Sequence, residues 1–101
     1  MGKYLILFYG NWDMSPEAQG KSMDDWTAWF KKLGKSVVEK GGPTMTGQLI
    51  KSSGTGSLGA NPVAGYSVFQ AKSLEAAIAM AKGCPSISDG FKVAVYEVAS
   101  M

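Results

Sequence analysis

Histidine and arginine are both missing from this 101-residue chain, and cysteine occurs once. Without histidine the chain lacks the one side chain that ordinarily titrates near neutrality, and with it the commonest general acid–base group and metal ligand. Readers of nucleic-acid sequence lean on arginine for bidentate contacts to bases and phosphates, and in its absence that role is not expected. A single cysteine, Cys84, can close no intramolecular disulfide and build no thiolate metal cage. That argues against a secreted disulfide scaffold and makes a reducing cytoplasm the expected compartment. The N-terminal apolar run over 4–9 is cut off by Gly10 and Asn11. It is too short for a signal-peptide core or a membrane span, so neither a targeting segment nor a membrane partner is expected.

What is present is the composition of one small globular domain spanning 1–101: 46% hydrophobic residues, 18% charged residues and a formal net charge of +2. Ten lysines are spread among eight carboxylates, and Lys31, Lys32 and Lys35 form the one cluster, which reads as solvated helix surface. A domain of this size buries only about 60–65% of its unfolded surface when it folds alone, so its core is thin and a second copy would add to it.

Segment 3–9 is aromatic, β-preferring and apolar on both faces, which predicts a central strand covered on both sides. Ser15-Pro16-Glu17 has the pattern of a helix start and predicts one short turn. The main helix is predicted over 22–40. Ser22 and Asp25 resemble a capping box, Met23, Trp26, Phe30, Leu33 and Val37 form an apolar stripe that Trp29 widens, and Gly41-Gly42-Pro43 is the stop. Strands are predicted over 44–51 and 65–71, joined by a Gly/Ser-rich hairpin tip. A second helix starts at Ser73-Leu74-Glu75 with Leu74, Ala77, Ile78 and Ala81 on one face, and a last strand covers 93–98. Gly54-Thr55-Gly56 and Asp89-Gly90 lack the further ligands of a phosphate or metal loop and read as turns.

The order strand, helix, strand, strand, helix, strand is that of an α+β, ferredoxin-like βαββαβ domain, a four-stranded antiparallel sheet with two helices on one face. The opposite face would be left bare. Because the first and last strands are apolar on both sides, a homodimer packed sheet to sheet is expected.

Several segments also resemble the YCII-related family, in its DGPF-domain branch. These are Lys3 to Tyr9 with Gly10, Trp26-x-x-Trp29-Phe30, Gly65-Tyr66, Ala71-x-Ser73-Leu74-x-x-Ala77, Gly83-Cys84-Pro85 and the closing Val93-x-Val95-Tyr96-Glu97-Val98. The resemblance runs through nearly the whole chain and implies the dimeric α/β-barrel fold. Some members of that family are small-molecule lyases, dehalogenating enzymes or muconolactone-type converters that use a His and Asp pair between sheet and helices. Here there is no histidine, the stretch implied to carry the acid reads Thr44-Met45-Thr46-Gly47-Gln48, and the DGPF stretch reads Ser88-Asp89-Gly90-Phe91 without its proline. The fold carries over and the catalytic pair does not.

Asp24 and Asp25 are the candidates for general acid–base work, since carboxylates beside Trp26 and Trp29 would titrate high if desolvated; the competing role is charge stabilisation at a helix N-terminus. The expected ligand-binding set is Tyr9, Trp12, Trp26, Trp29, Gln48 and Tyr66, aromatic walls with one amide. At helical or strand spacing Trp26, Phe30 and Tyr66 read first as core or dimer interface, whereas Tyr9 and Trp12 sit at a strand end and loop, where binding sites gather. Cys84 has no histidine to activate it and reads as buried packing. The expected function is a homodimeric domain that binds a small apolar or aromatic molecule between sheet and helices, with no cofactor and no metal. The alternatives are a lyase- or isomerase-type enzyme using a carboxylate or tyrosine, and a structural or regulatory interaction protein without a ligand.

Overall fold

The computed structural model describes residues 2–10, 16–45, 47–59, 62–88 and 90–99. Its elements are β1 (Gly2–Tyr9), α1 (Pro16–Leu33), a 3-10 turn (Gly34–Ser36), β2 (Val37–Pro43), β3 (Leu49–Lys51), β4 (Gly54–Gly56), β5 (Val63–Ala71), α2 (Leu74–Ala81), α3 (Pro85–Ser88) and β6 (Val93–Val98). Four strands form one antiparallel sheet in the order β2-β5-β1-β6, with helices packed against it, so the domain is α+β. A separate two-stranded sheet pairs β3 with β4.

The register of β1 sorts the sheet into two faces. Tyr4 lies opposite Phe69, Ile6 opposite Ser67 and Val95, and Phe8 opposite Gly65 and Val93. These even-numbered residues of β1 turn toward the helices and join Trp29, Ala77, Ala81 and Cys84 in a single buried cluster. The odd-numbered residues turn the other way, with Leu5 beside Val68 and Tyr96, and Leu7 beside Tyr66 and Ala94. Small residues on α2 let that helix lie close to the sheet, and Ala77 is fully buried. Ser73 caps α2 as expected, its hydroxyl accepting the Ala76 N–H at 3.2 Å.

Three expectations are corrected. The main helix begins at Pro16, so the pattern at 15–17 starts a full 18-residue helix and Ser22 lies inside it. The helix also ends at Leu33 and not at 40, because Gly34 takes a left-handed conformation at φ +57° and stops the helical ladder. The β-branched Val37 and Val38 then enter β2, where Val37 pairs with Phe69. Finally, Gly41-Gly42-Pro43 belongs to the edge strand β2, and most of 44–51 lies outside the main sheet, with 49–51 in the small one. Proline is tolerated at an edge because no neighbouring strand needs its missing N–H.

The departure of β2 from a regular ladder has a visible cause. Its pairing with β5 shifts between Val37 and Glu39 and again between Glu39 and Gly42. Gly41 adopts φ +69° and runs so close to β5 that a Cβ there would overlap the Tyr66 carbonyl oxygen. Buried Ser67 compensates for the break, its hydroxyl donating to the Lys40 carbonyl at 2.6 Å. Thr44 closes the end of the strand by donating its hydroxyl to the Val63 carbonyl at 2.6 Å.

Candidate functional site

The chemistry-bearing residues gather where α1 crosses the helix-covered face of the sheet. A 3.6-residue period brings Trp26, Trp29, Phe30 and Leu33 onto one side of α1. Trp29 is the centre of that stripe, only 7% exposed, while Met23 at 69% faces solvent and Val37 has left the helix for β2. The stripe therefore turns on Trp29, which the spacing alone sets at its margin.

The rings meet at steep angles. Phe8 and Trp26 have centroids 4.8 Å apart at 81°, Trp26 and Trp29 5.5 Å at 79°, and Trp29 and Phe69 5.5 Å at 61°. Edge-to-face contacts set the positive rim of one ring against the negative face of the next, worth about 0.5–1.5 kcal/mol per pair beyond area burial. Phe30 extends the cluster toward solvent, 5.0 Å from Trp29 and 5.9 Å from Trp26. The Lys40 ammonium lies 5.5 Å from the Phe30 centroid, within cation–π range. Trp26 and Phe30 are half-buried, so they present ring surface at the rim of a cluster whose centre is closed.

The expected ligand-binding residues are distributed over three places. Trp26 and Trp29 are together in the cluster just described. Tyr66 lies opposite Leu7 and is on the far side of the sheet from both tryptophans, and alternation along β1 sets Tyr9 with Leu7 on that same side. Gln48 is exposed beside β3. Trp12 lies outside the described residues.

Asp24 and Asp25 fall near the middle of α1, more than two turns past Pro16, where the helix dipole does little. The expectation that they stabilise a helix N-terminus is thus corrected by the earlier start of the helix. Both are exposed, so neither has the desolvation on which general-base work beside the tryptophans would depend. Cys84 is fully buried. Gly54-Thr55-Gly56 forms a strand in place of the expected turn, whereas Gly90 does sit in a turn at φ +87°.

Lys40 and Phe69 also belong to this cluster, which no helical spacing in the sequence shows. The signal for Lys40 was the Gly34 break followed by two valines, which takes 37–40 out of the helix and into a strand. Among the described residues no set of three or more His, Cys, Asp or Glu is placed to hold a metal ion, and no helix is long and apolar enough to cross a membrane. No protein-family model matches the chain, and no curated protein resembles it closely enough to count as a relative.

Proposed function

We propose that the chain is a YCII-related, ferredoxin-like subunit that forms a dimeric α/β barrel with a second copy of itself and holds a small apolar or aromatic molecule against Trp26 and Phe30. The observation that carries this reading is the two-sidedness of β1. Tyr4, Ile6 and Phe8 are buried under helices, while Leu5 and Leu7 share the opposite face with Val68, Tyr66 and Tyr96, all of them partly or largely exposed. Apolar side chains in the middle of a sheet gain little from facing water, and a two-fold related copy offers the same residues in return. Counting only the strands of the main sheet, the order is second, third, first, fourth, as two interleaved β-α-β units require.

The ligand half of the reading is supported by the rim of the aromatic cluster. Trp26 and Phe30 offer flat apolar surface, and the nearby Lys40 ammonium suits a molecule that joins an aromatic ring to an anionic group. A cytoplasmic setting goes with the reading, since a chain with a single cysteine can close no intramolecular disulfide.

Native mass spectrometry of freshly purified protein, followed by tryptophan fluorescence titration with simple aryl carboxylates, tests both halves. The expected result is a dimer, with quenching that is lost in Trp26→Ala while the dimer remains. A monomer at micromolar concentration would sink the assembly, and quenching unchanged in Trp26→Ala would sink the placement of the ligand.

A further inference from the structure

The charge presented to the aromatic cluster is set by the irregular path of β2. Opposed residues of neighbouring strands share a face, so Val37, opposite Phe69, is on the helix-covered side. Along an unbroken ladder from there, Glu39 would also face the helices and Lys40 would fall on the open face. The structure has the reverse. Between Val37 and Glu39 the edge strand gains one residue on β5, and Glu39 comes to lie opposite Val68, the neighbour of Leu5 on the open face. The extra residue exchanges the two charges, and the Lys40 ammonium stands over Phe30 of α1, 5.5 Å from its centroid.

Lys40 is held at that point through its backbone. Its carbonyl accepts the hydroxyl of buried Ser67 at 2.6 Å, and the next residue, Gly41, takes φ +69° on a path too close to Tyr66 for any side chain. The side chain of Lys40 therefore leaves the strand from a fixed place beside the aromatic rim. At that rim the planes of Trp26 and Phe30 are inclined by 32°, the shallowest angle in the cluster, and both rings are half-buried. The other contacts of Trp26, with Phe8 and Trp29, are nearly perpendicular, at 81° and 79°. Where the cluster is closed its rings thus meet edge to face, and where it is open two ring faces turn in nearly the same direction with an ammonium over one of them. An aryl molecule bound there meets that charge, which attracts an anionic substituent, repels a cationic one and is indifferent to a neutral one.

We propose that Lys40 is the residue by which this site selects aryl anions over neutral and cationic aryl molecules, and that the bulge in β2 gives the site this cation where a regular strand would give it Glu39. The inference rests on the Trp26 and Phe30 site proposed above and names the group that sets its charge preference.

Tryptophan fluorescence titration of the full chain with benzoate, benzyl alcohol and benzylammonium, in wild type, Lys40→Met and Lys40→Arg, tests this. Position 40 is exposed, and methionine keeps an unbranched apolar stem against Phe30 while removing the charge. The wild type is expected to bind benzoate about three- to fivefold more tightly than benzyl alcohol, as one exposed charge pair allows, with benzylammonium the weakest. In Lys40→Met the preference for benzoate is expected to vanish while benzyl alcohol binds as before, and in Lys40→Arg the preference is expected to persist. Added potassium chloride is expected to weaken benzoate binding in the wild type and to leave Lys40→Met unaffected. A benzoate preference undiminished in Lys40→Met overturns the role of Lys40 and leaves the aromatic site standing. A wild type quenched by none of the three probes overturns the site itself, and its charge selection with it.

Discussion

The two faces of β1 are made from the same kinds of residue and meet different fates. On one, Ile6 is fully buried and Phe8 nearly so, under Trp29 and the small residues of α2. On the other, Leu5 and Leu7 are partly open and their neighbour Tyr96 is 55% exposed. Apolar content alone thus does not say where the core is. The partner elements decide, and for one face those elements lie within the chain, while for the other we assign them to a second copy.

The comparison is sharpened most by removing its densest member. Phe69 is fully buried and packs against Trp29, so Phe69→Ala is expected to cost about 3–5 kcal/mol in urea unfolding, through lost burial plus the cavity left behind. The matching change on the other face, Tyr66→Ser, is expected to lower stability by less than about 1 kcal/mol when measured below the dimer dissociation constant. Equal costs on the two faces would break the comparison.

Gly41→Ala comes next, with an expected loss of about 2–3 kcal/mol. A Cβ at that left-handed position meets the Tyr66 carbonyl oxygen, and backbone cannot yield as a flexible side chain would. Thermal unfolding at fixed protein concentration checks it, and a melting temperature unchanged from wild type would show that β2 does not hold this path. Ser67→Ala is smaller, about 1–1.5 kcal/mol, because it leaves the Lys40 carbonyl without its hydroxyl donor beside a buried position. The smallest effect is expected from the double change Asp24→Asn and Asp25→Asn, within about 0.5 kcal/mol, since both are exposed in mid-helix. A loss above about 1 kcal/mol would restore a structural role for that pair.

Which parts of the fold could be read beforehand follows from how local their signals are. Strands 3–9, 65–71 and 93–98 are written in short runs of β-preferring apolar residues and the Ser73 cap in a hydroxyl one residue before a helix, and each is observed within two residues of its expected bounds. The stretch 34–51 is not legible in this way, because Val37 continues the spacing of Phe30 and Leu33 and the periodicity carries straight through Gly34. Only the left-handed turn there, which a glycine permits and does not require, ends the helix. The aromatic cluster was half legible: Trp26, Trp29 and Phe30 share a helix and their spacing shows it. Phe8 and Phe69 join through strand register, and Lys40 joins only once β2 replaces the helix end. Tyr66 could not be assigned a side of the sheet until its pairing with Leu7 was known, because a shift of one residue reverses every side chain.

The measurement that bears most directly on the account is sedimentation equilibrium of the wild type beside Tyr96→Lys at micromolar concentration. Tyr96 stands on the open face opposite Leu5, and lysine is well tolerated on an exposed outer strand such as β6. The account predicts a wild-type mass twice the 10.7 kDa of the chain and a shift toward the single-chain mass in the variant. A wild type that sediments as 10.7 kDa, or a dimer indifferent to a charge at position 96, would contradict it.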